Sequence, residues 1–188
     1  GVATAEVHVA LAALLGTERA SGPDREAISG AWRRRLSIAV AEVPALEESR
    51  EAIQAVYSRA AQIEWPELQR VHGDYHLGQV ILVPDRGWVL LDFEGAPIRP
   101  MKERARRDLA IRDVAGMLRS FDYVSGSLWL DHPERPAESA EEWAGAARRS
   151  FLDGYVAASG TDIAAWRPLL DALELDKAVY ETIYEVRN

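Results

Sequence analysis

The chain has 188 residues, with 22 Lys and Arg against 30 Asp and Glu, a net charge of −8, 48% hydrophobic residues and no cysteine. That length makes one sizeable domain, or two very small ones, with enough apolar content for a real core. The acidic balance offers no basic field to gather nucleic acid or anionic lipid, and the lack of cysteine excludes disulfides, thiolate zinc sites, iron–sulfur clusters and cysteine nucleophiles, as fits a reducing cytoplasm.

Val2 to Leu15 is dense in apolar helix formers and predicts a short helix closed near Gly16. It lacks the basic flank of a signal peptide, and no window of the chain approaches the roughly 18 apolar residues of a membrane span. Ser21-Gly22-Pro23-Asp24 reads as a turn and helix start. From Asp24 to Glu64, Ile28, Trp32, Leu36, Val40, Leu46, Ile53, Val56, Tyr57 and Ile63 recur at helical spacing around Pro44, which predicts two paired helices or one kinked helix.

After Trp65-Pro66 the character turns to β. Gln69–His72 and Gln79–Val83 are strand-like, Pro84-Asp85-Arg86-Gly87 has turn chemistry, and Trp88–Asp92 is strand again, so a hairpin is expected over 79–92. Phe93 to Leu109 reads as irregular, with two prolines and the charge run Lys102–Asp108, expected to be a solvated loop. A helix over 113–129 follows, with Asp113 as its N-cap and Val114, Leu118 and Phe121 facing a core. A proline-punctuated linker at Pro133 and Pro136 leads to helices over 137–158 and 162–188, the last one open to a break at Pro168. The six tryptophans are scattered, so most are expected as core or interface anchors and form no stacking platform. The sum is an α+β domain, mostly α-helical, around one small β-hairpin: helical over 1–66, a catalytic loop and hairpin over 69–95, and helical again over 113–188.

Chemistry-bearing residues crowd into His72-Gly73-Asp74-Tyr75-His76-Leu77-Gly78-Gln79 and, eighteen positions past Asp74, into Asp92-Phe93-Glu94-Gly95. Phosphoryl transfer needs a carboxylate to take the acceptor hydroxyl's proton and oxygen ligands on Mg²⁺ to neutralise the nucleotide phosphates. Kinases place an amide ligand five residues after the catalytic-loop Asp and a second Asp just past a hairpin. Asp74, Gln79 and Asp92 reproduce those spacings, with Gln where Asn is usual.

The motifs His72–Val80, Leu91–Gly95 and Arg112-Asp113-Val114-Ala115-Gly116-Met117-Leu118-Arg119-Ser120-Phe121 together resemble actinobacterial-type maltokinases, including those fused to trehalose synthase. These are similar to the aminoglycoside-phosphotransferase branch of the protein-kinase-like fold, and the ending Asp176–Asn188 resembles the family's C-terminal helix. The resemblance covers about Gln69 to Asn188. It implies ATP- and Mg²⁺-dependent phosphorylation of maltose at its anomeric hydroxyl, with Asp74 as catalytic base, Gln79 and Asp92 as metal ligands, and His72 bracing the catalytic loop. Glu94 and His76 are placed beside the site, in a supporting or acceptor-facing role. Tyr180, Glu181, Tyr184 and Arg187 are candidates for sugar binding, since Tyr180, Tyr184 and Arg187 share one helix face.

Before Gln69 there is no glycine-rich loop after a strand and no Val-Ala-Ile-Lys-type segment. The chain also begins without Met and stops inside a helical pattern. We therefore expect only the C-terminal lobe of such a kinase, a single lobe over 1–188, with the ATP-gripping lobe absent and the fragment inactive alone. Expected partners are a sugar, the missing lobe and a fused or associated trehalose synthase, with no nucleic acid and no membrane.

Three other functions fit the residues. A glucosamine, other sugar or aminoglycoside kinase shares the first three motifs. A non-catalytic kinase-like docking domain would be free to lose Asp74, Gln79 and Asp92, which are all present. A metallohydrolase would need 72–76 to be a strand, placing His72, Asp74 and His76 on one face; Gly73 and Gly78 favour a loop.

Overall fold

The computed structural model describes residues 1–95, 106–132, 134 and 136–187. In chain order the elements are α1 (Val2–Leu15), β1 (Thr17–Glu18), α2 (Gly22–Glu42), a 3₁₀ segment (Pro44–Ser49), α3 (Arg50–Gln62) and β2 (Leu68–Gln69). A 3₁₀ turn (Leu77–Gln79), β3 (Val80–Val83), β4 (Gly87–Leu90), β5 (Asp108–Leu109), α4 (Ala110–Asp131), α5 (Ala137–Ser159) and α6 (Arg167–Arg187) complete it. The fold is α+β and mostly helical. Two compact units form, one from Gly1–Thr17 with Gln69–Asp162 and the other from Glu18–Leu68 with the chain from Ile163 onward. Among the described residues no helix is long and apolar enough to cross a membrane.

In the first unit α1 packs on α5, and α5 on α4. Ile111, Val114, Ala115, Leu118 and Phe121 recur every three or four residues along α4 and are buried, as a helix with one apolar stripe requires. Phe121 meets Phe151 and Trp143 edge-on, with ring centroids 6.1 and 6.0 Å apart. Gly154 lets α5 approach the start of α1, since a Cβ there would lie 3.2 Å from the backbone nitrogen of Val2. The hairpin β3–β4 is antiparallel, pairing Val80 with Leu90, Ile81 with Val89, Leu82 with Trp88 and Val83 with Gly87. Asp85 (φ 62°) and Gly87 (φ 76°) supply the left-handed residues of its turn.

The second unit packs α2 and α3 against α6. Ser21 and Asp24 form a reciprocal capping box at the start of α2, with Pro23 in its first turn. The next proline, Pro44, forces its predecessor Val43 out of helical geometry (φ −129°, ψ 84°), so two separate helices form rather than one kinked helix. Trp32, fully buried, lies 5.5 Å from the Tyr57 ring and 5.9 Å from the Trp65 ring, and Leu169, Leu170 and Leu173 of α6 join the same core. Arg35 of α2 pairs with Asp176 of α6, which is only 4% exposed.

Several elements differ from the sequence-based expectations. Only Leu68–Gln69 is strand; the extended run stops before His72, whose amide is claimed by a carboxylate from α4. The hairpin strands end at Leu90, short of Asp92; Leu91 N still donates to Gln79 O at 2.9 Å. The helix expected over 113–129 begins earlier, at Ala110, after an unforeseen strand at Asp108–Leu109. The last helix starts at Arg167, so Pro168 sits in its first turn, where a missing N–H costs nothing, and does not break it. Residues 96–105, including Lys102–Ala105 of the charge run, and Pro133 of the linker lie outside the described residues. The end of that run is no solvated loop: Asp108 pairs with Arg112 at 2.8 Å in half-buried surroundings, and Arg107 donates to the Leu15 carbonyl at 2.7 Å. Trp88, Trp129 and Trp143 are exposed rather than core.

Removing one partner of the Arg35–Asp176 pair leaves the other charge unpaired in a largely desolvated place. Asp176→Ala is expected to lower unfolding stability by about 3 kcal/mol. Arg167→Ala, which deletes an exposed pair with Asp171, is expected to cost under about 1 kcal/mol. Urea unfolding of both variants measures the contrast.

Candidate active site

The segment from Arg70 to Gln79 joins β2 to β3 as a loop whose backbone is held from outside. The carboxylate of Asp113, in the first turn of α4 and 1% exposed, accepts the N–H of His72 through Oδ2 (2.7 Å) and that of Gly73 through Oδ1 (3.0 Å). Asp113 is therefore not an N-cap; Leu109 occupies that position and the carboxylate reaches across to the loop. Gly73 adopts φ 86°, a left-handed conformation that suits glycine, and this turns the chain so that Asp74 follows directly. Ser120 Oγ accepts the Leu77 N–H at 3.2 Å. Gly116 of α4 faces the Tyr75 carbonyl so closely that a Cβ would sit 2.4 Å from its oxygen.

His72 ties this loop to the end of the hairpin. Its Nε2 donates to the Leu91 carbonyl at 2.6 Å, and its Nδ1 accepts the Asp74 N–H at 3.4 Å. A carbonyl only accepts and an amide only donates, so the two partners specify the neutral tautomer protonated at Nε2. The Phe93 ring covers the imidazole at 4.8 Å, and Arg70 holds the Phe93 carbonyl at 3.1 Å. Between Leu91 and Phe93, Asp92 stands in the left-handed region at φ 57°, a strained choice for a residue with a side chain and one that clusters at functional sites. It directs the Asp92 carboxylate to Gln79, whose Nε2 lies 3.5 Å from Oδ2.

Within the first unit the structure thus sets the Gln79 and Asp92 side chains beside each other and ties the backbone at Asp74, through His72, to Leu91, the residue before Asp92. An accessible carboxylate beside an amide is an oxygen-donor set suited to a hard cation such as Mg²⁺, since the amide oxygen can turn toward an ion that the carboxylate attracts. Glu94 is exposed in the turn after Asp92. His76 accepts the Gly78 N–H at 3.1 Å. The metallohydrolase arrangement fails: residues 72–76 are no strand, the His72 Nε2 is spent on a carbonyl, and no group of three or more His, Cys, Asp or Glu able to hold a metal exists among the described residues.

Tyr180, Glu181, Tyr184 and Arg187 lie on α6, in the second unit. Lys177 Nζ sits 5.1 Å above the Tyr180 ring, Tyr184 is exposed, and Arg187 forms an ion pair with Glu42 that holds the Glu42 carboxyl below its usual range through that hydrogen bond.

Sequence reasoning passed over Asp113, read as a cap, and over Thr4 and His8 of α1. Thr4 Oγ1 is 2.7 Å from the Tyr75 hydroxyl, and His8 Nε2 is 3.1 Å from Asp113 Oδ2. Two polar residues four apart, on one face of a helix whose remaining polar residue is Glu6, were the available signal. Burial pushes the Tyr75 hydroxyl up to about 12, against a smaller lowering by its bond to Thr4, and burial with the Asp113 charge raises Tyr155 further.

With this geometry in place, sequence and structure comparisons agree on a class. The chain belongs to the phosphotransferase enzyme family (APH), whose sequence profile matches residues 1–169. It is similar to the glucosamine kinase of Streptacidiphilus jiangxiensis, at 35% identity over 196 residues covering 100% of this chain and 44% of the relative. A glucosamine kinase of Mycolicibacterium smegmatis matches at 28% identity over 202 residues, covering 100% of this chain and 48% of that one. A solved glucosamine kinase in complex with glucosamine, ADP and inorganic phosphate superposes with a TM-score of 0.87 at 34% identity, covering 98% of this chain and 46% of that structure. The chain thus spans about half the length of these relatives.

Two measurements follow. Gly116→Ala must displace the Tyr75 carbonyl and is expected to cost about 1–3 kcal/mol of stability. Gly126→Ala, in the same helix with nothing within 4 Å of its Cβ, should stabilise by up to about 1 kcal/mol. Secondly, tyrosines whose folded pKa is raised contribute stability that is fully present below their ordinary value of 10.0 and is lost as pH rises through about 12. In an alkaline titration followed at the tyrosinate absorbance band, Tyr75 and Tyr155 should ionise late and together with unfolding.

Proposed function

We propose that these residues form the acceptor-side and metal-side half of an ATP-dependent amino-sugar kinase, with glucosamine as the acceptor. The observation that carries the reading is the single frame, organised by His72, that joins Asp74 to Gln79 and Asp92. Asp74 takes the proton of the attacking hydroxyl. Gln79 and Asp92 would hold Mg²⁺, which when bound neutralises phosphate charge as the phosphoryl group leaves ADP. His72 fixes the distance between base and ligands, and Asp113 fixes the loop against α4. Glu94 and His76 line the acceptor side; separately, the Tyr180, Glu181, Tyr184 and Arg187 face of α6, in the second unit, is a sugar-binding candidate by its aromatic surface and hydrogen-bonding groups.

The names of the relatives favour glucosamine over the maltose that the motif resemblance implies, and give no link to trehalose synthase. Because the chain covers 44% and 48% of them, we assign the loop and lysine that cover the nucleotide phosphates to a part of the protein beyond these residues.

The test is an ADP-release assay of the whole protein with Mg-ATP and glucosamine, maltose, glucose and an aminoglycoside in turn. Glucosamine is expected to give the highest kcat/KM, and Asp74→Asn to lower kcat on the order of 10²–10⁴-fold. A preference for maltose would restore the maltokinase reading. No turnover with any acceptor would leave a docking domain.

A further inference from the structure

Behind Asp113 a buried polar chain runs on through the first unit to two residues that the chemistry above does not use, His8 and Tyr155. Tyr155 of α5 places its hydroxyl 3.0 Å from His8 Nδ1; His8 Nε2 is 3.1 Å from Asp113 Oδ2; and Asp113 holds the N–H groups of His72 and Gly73 at 2.7 and 3.0 Å. His8, Tyr155 and Asp113 are all at most 3% exposed. With the Tyr155 hydroxyl donating to Nδ1 and Nε2–H donating to the carboxylate, each polar atom in the chain has a partner, and Asp113 accepts three N–H groups. One helical turn earlier Thr4, on the same face of α1, bonds the Tyr75 hydroxyl at 2.7 Å, and the Gln69 amide donates to the His8 carbonyl at 2.9 Å. The bonds from α1 therefore end on residues 72 and 73 on one side of Asp74 and on residue 75 on the other.

We infer that His8, oriented by Tyr155, is a positioning residue for Asp74: it fixes the Asp113 carboxylate, and through it the two backbone amides that precede the base. This rests on Asp74 being the base. A core histidine kept for stability alone has no need to end on loop amides, since buried polar networks are matched or surpassed in stability by well-packed apolar residues. The His72 and Gly73 amides each hold one oxygen of Asp113, and Nε2–H of His8 is the third donor, sharing Oδ2 with the His72 amide and tying the carboxylate to α1 as well as to the loop. Without it Asp113 is held by the loop amides alone, its place relative to α1 is no longer fixed, the His72 and Gly73 amides loosen, and Asp74 shifts relative to the acceptor hydroxyl. Displacements near 1 Å at a reacting centre cost up to about 100-fold in rate.

The experiment uses the whole protein and three variants, His8→Leu, His8→Gln and Tyr155→Phe, with Asp74→Asn as a control. His8→Leu is expected to lower kcat by about tenfold to hundredfold, leaving KM for ATP and glucosamine within about twofold, and to speed hydrogen exchange of the His72 and Gly73 amides. His8→Gln, which keeps one N–H toward Asp113, should recover most of both losses. Tyr155→Phe removes one hydroxyl, retains the ring, and should show a smaller change in the same direction; it carries the test if His8→Leu fails to fold. Wild-type kcat and wild-type exchange at residues 72 and 73 in the folded variants overturn the inference. A lowered melting temperature with kcat kept overturns it equally, for it marks a purely structural histidine. Normal turnover by Asp74→Asn would instead overturn the base reading, and the exchange rates would still decide whether His8 holds the loop.

Discussion

The buried carboxylate of Asp113 is the contact on which the rest of the first unit is arranged. An ionised group removed from water is tolerated only when its oxygens are met by strong donors, and here two loop amides and a histidine meet them. The position at the start of α4 helps, because the positive end of the helix dipole lies beside the negative charge. A loop with little hydrophobic burial of its own thereby acquires a fixed backbone, at the cost of forcing α1, α4 and the loop to assemble together. The second unit meets a similar demand at Asp176, but answers it with a single guanidinium from Arg35.

From that anchor, order passes outward by short, directional bonds. Asp113 fixes the backbone of His72; the His72 ring, in one tautomer, reaches forward to the Asp74 amide and across to the Leu91 carbonyl. The hairpin then carries Gln79 and Asp92 to adjacent positions. Each bond is worth only about 1 kcal/mol net, so what the network contributes above all is geometry: the backbone at Asp74 is tied to the segment that carries Asp92.

Much of this was legible in the sequence. The apolar periods of Trp32, Leu36 and Val40, and of Val114, Leu118 and Phe121, announced helices and their buried faces, and Pro84–Gly87 announced the hairpin turn. The linked spacing of Asp74, Gln79 and Asp92 pointed to phosphoryl transfer because it is defined by local chain geometry. What stayed hidden was long-range pairing. Asp113 satisfies every local rule for a cap, and only the folded chain shows its oxygens facing a loop some forty residues away. His8 lies further still from its partner, and its spacing from Thr4 marks a shared helix face without showing what that face meets. The strand at Leu68–Gln69 stops short of His72 for the same reason: β-propensity continues through His72, but the amides of His72 and Gly73 are taken by Asp113.

The hairpin offers a different kind of freedom. Gln79 and Asp92 sit at its base, where Leu91 N closes the last rung on the Gln79 carbonyl, while Pro84–Arg86 sit at its exposed tip. Residues added at the tip leave the pairing of Val80 with Leu90 and of Val83 with Gly87 in phase, whereas a single residue gained or lost between Leu90 and Asp92 moves the carboxylate away from Gln79. The tip is thus the natural place to graft an epitope, a fluorophore or a tether into this family member, and the base is the part to leave untouched.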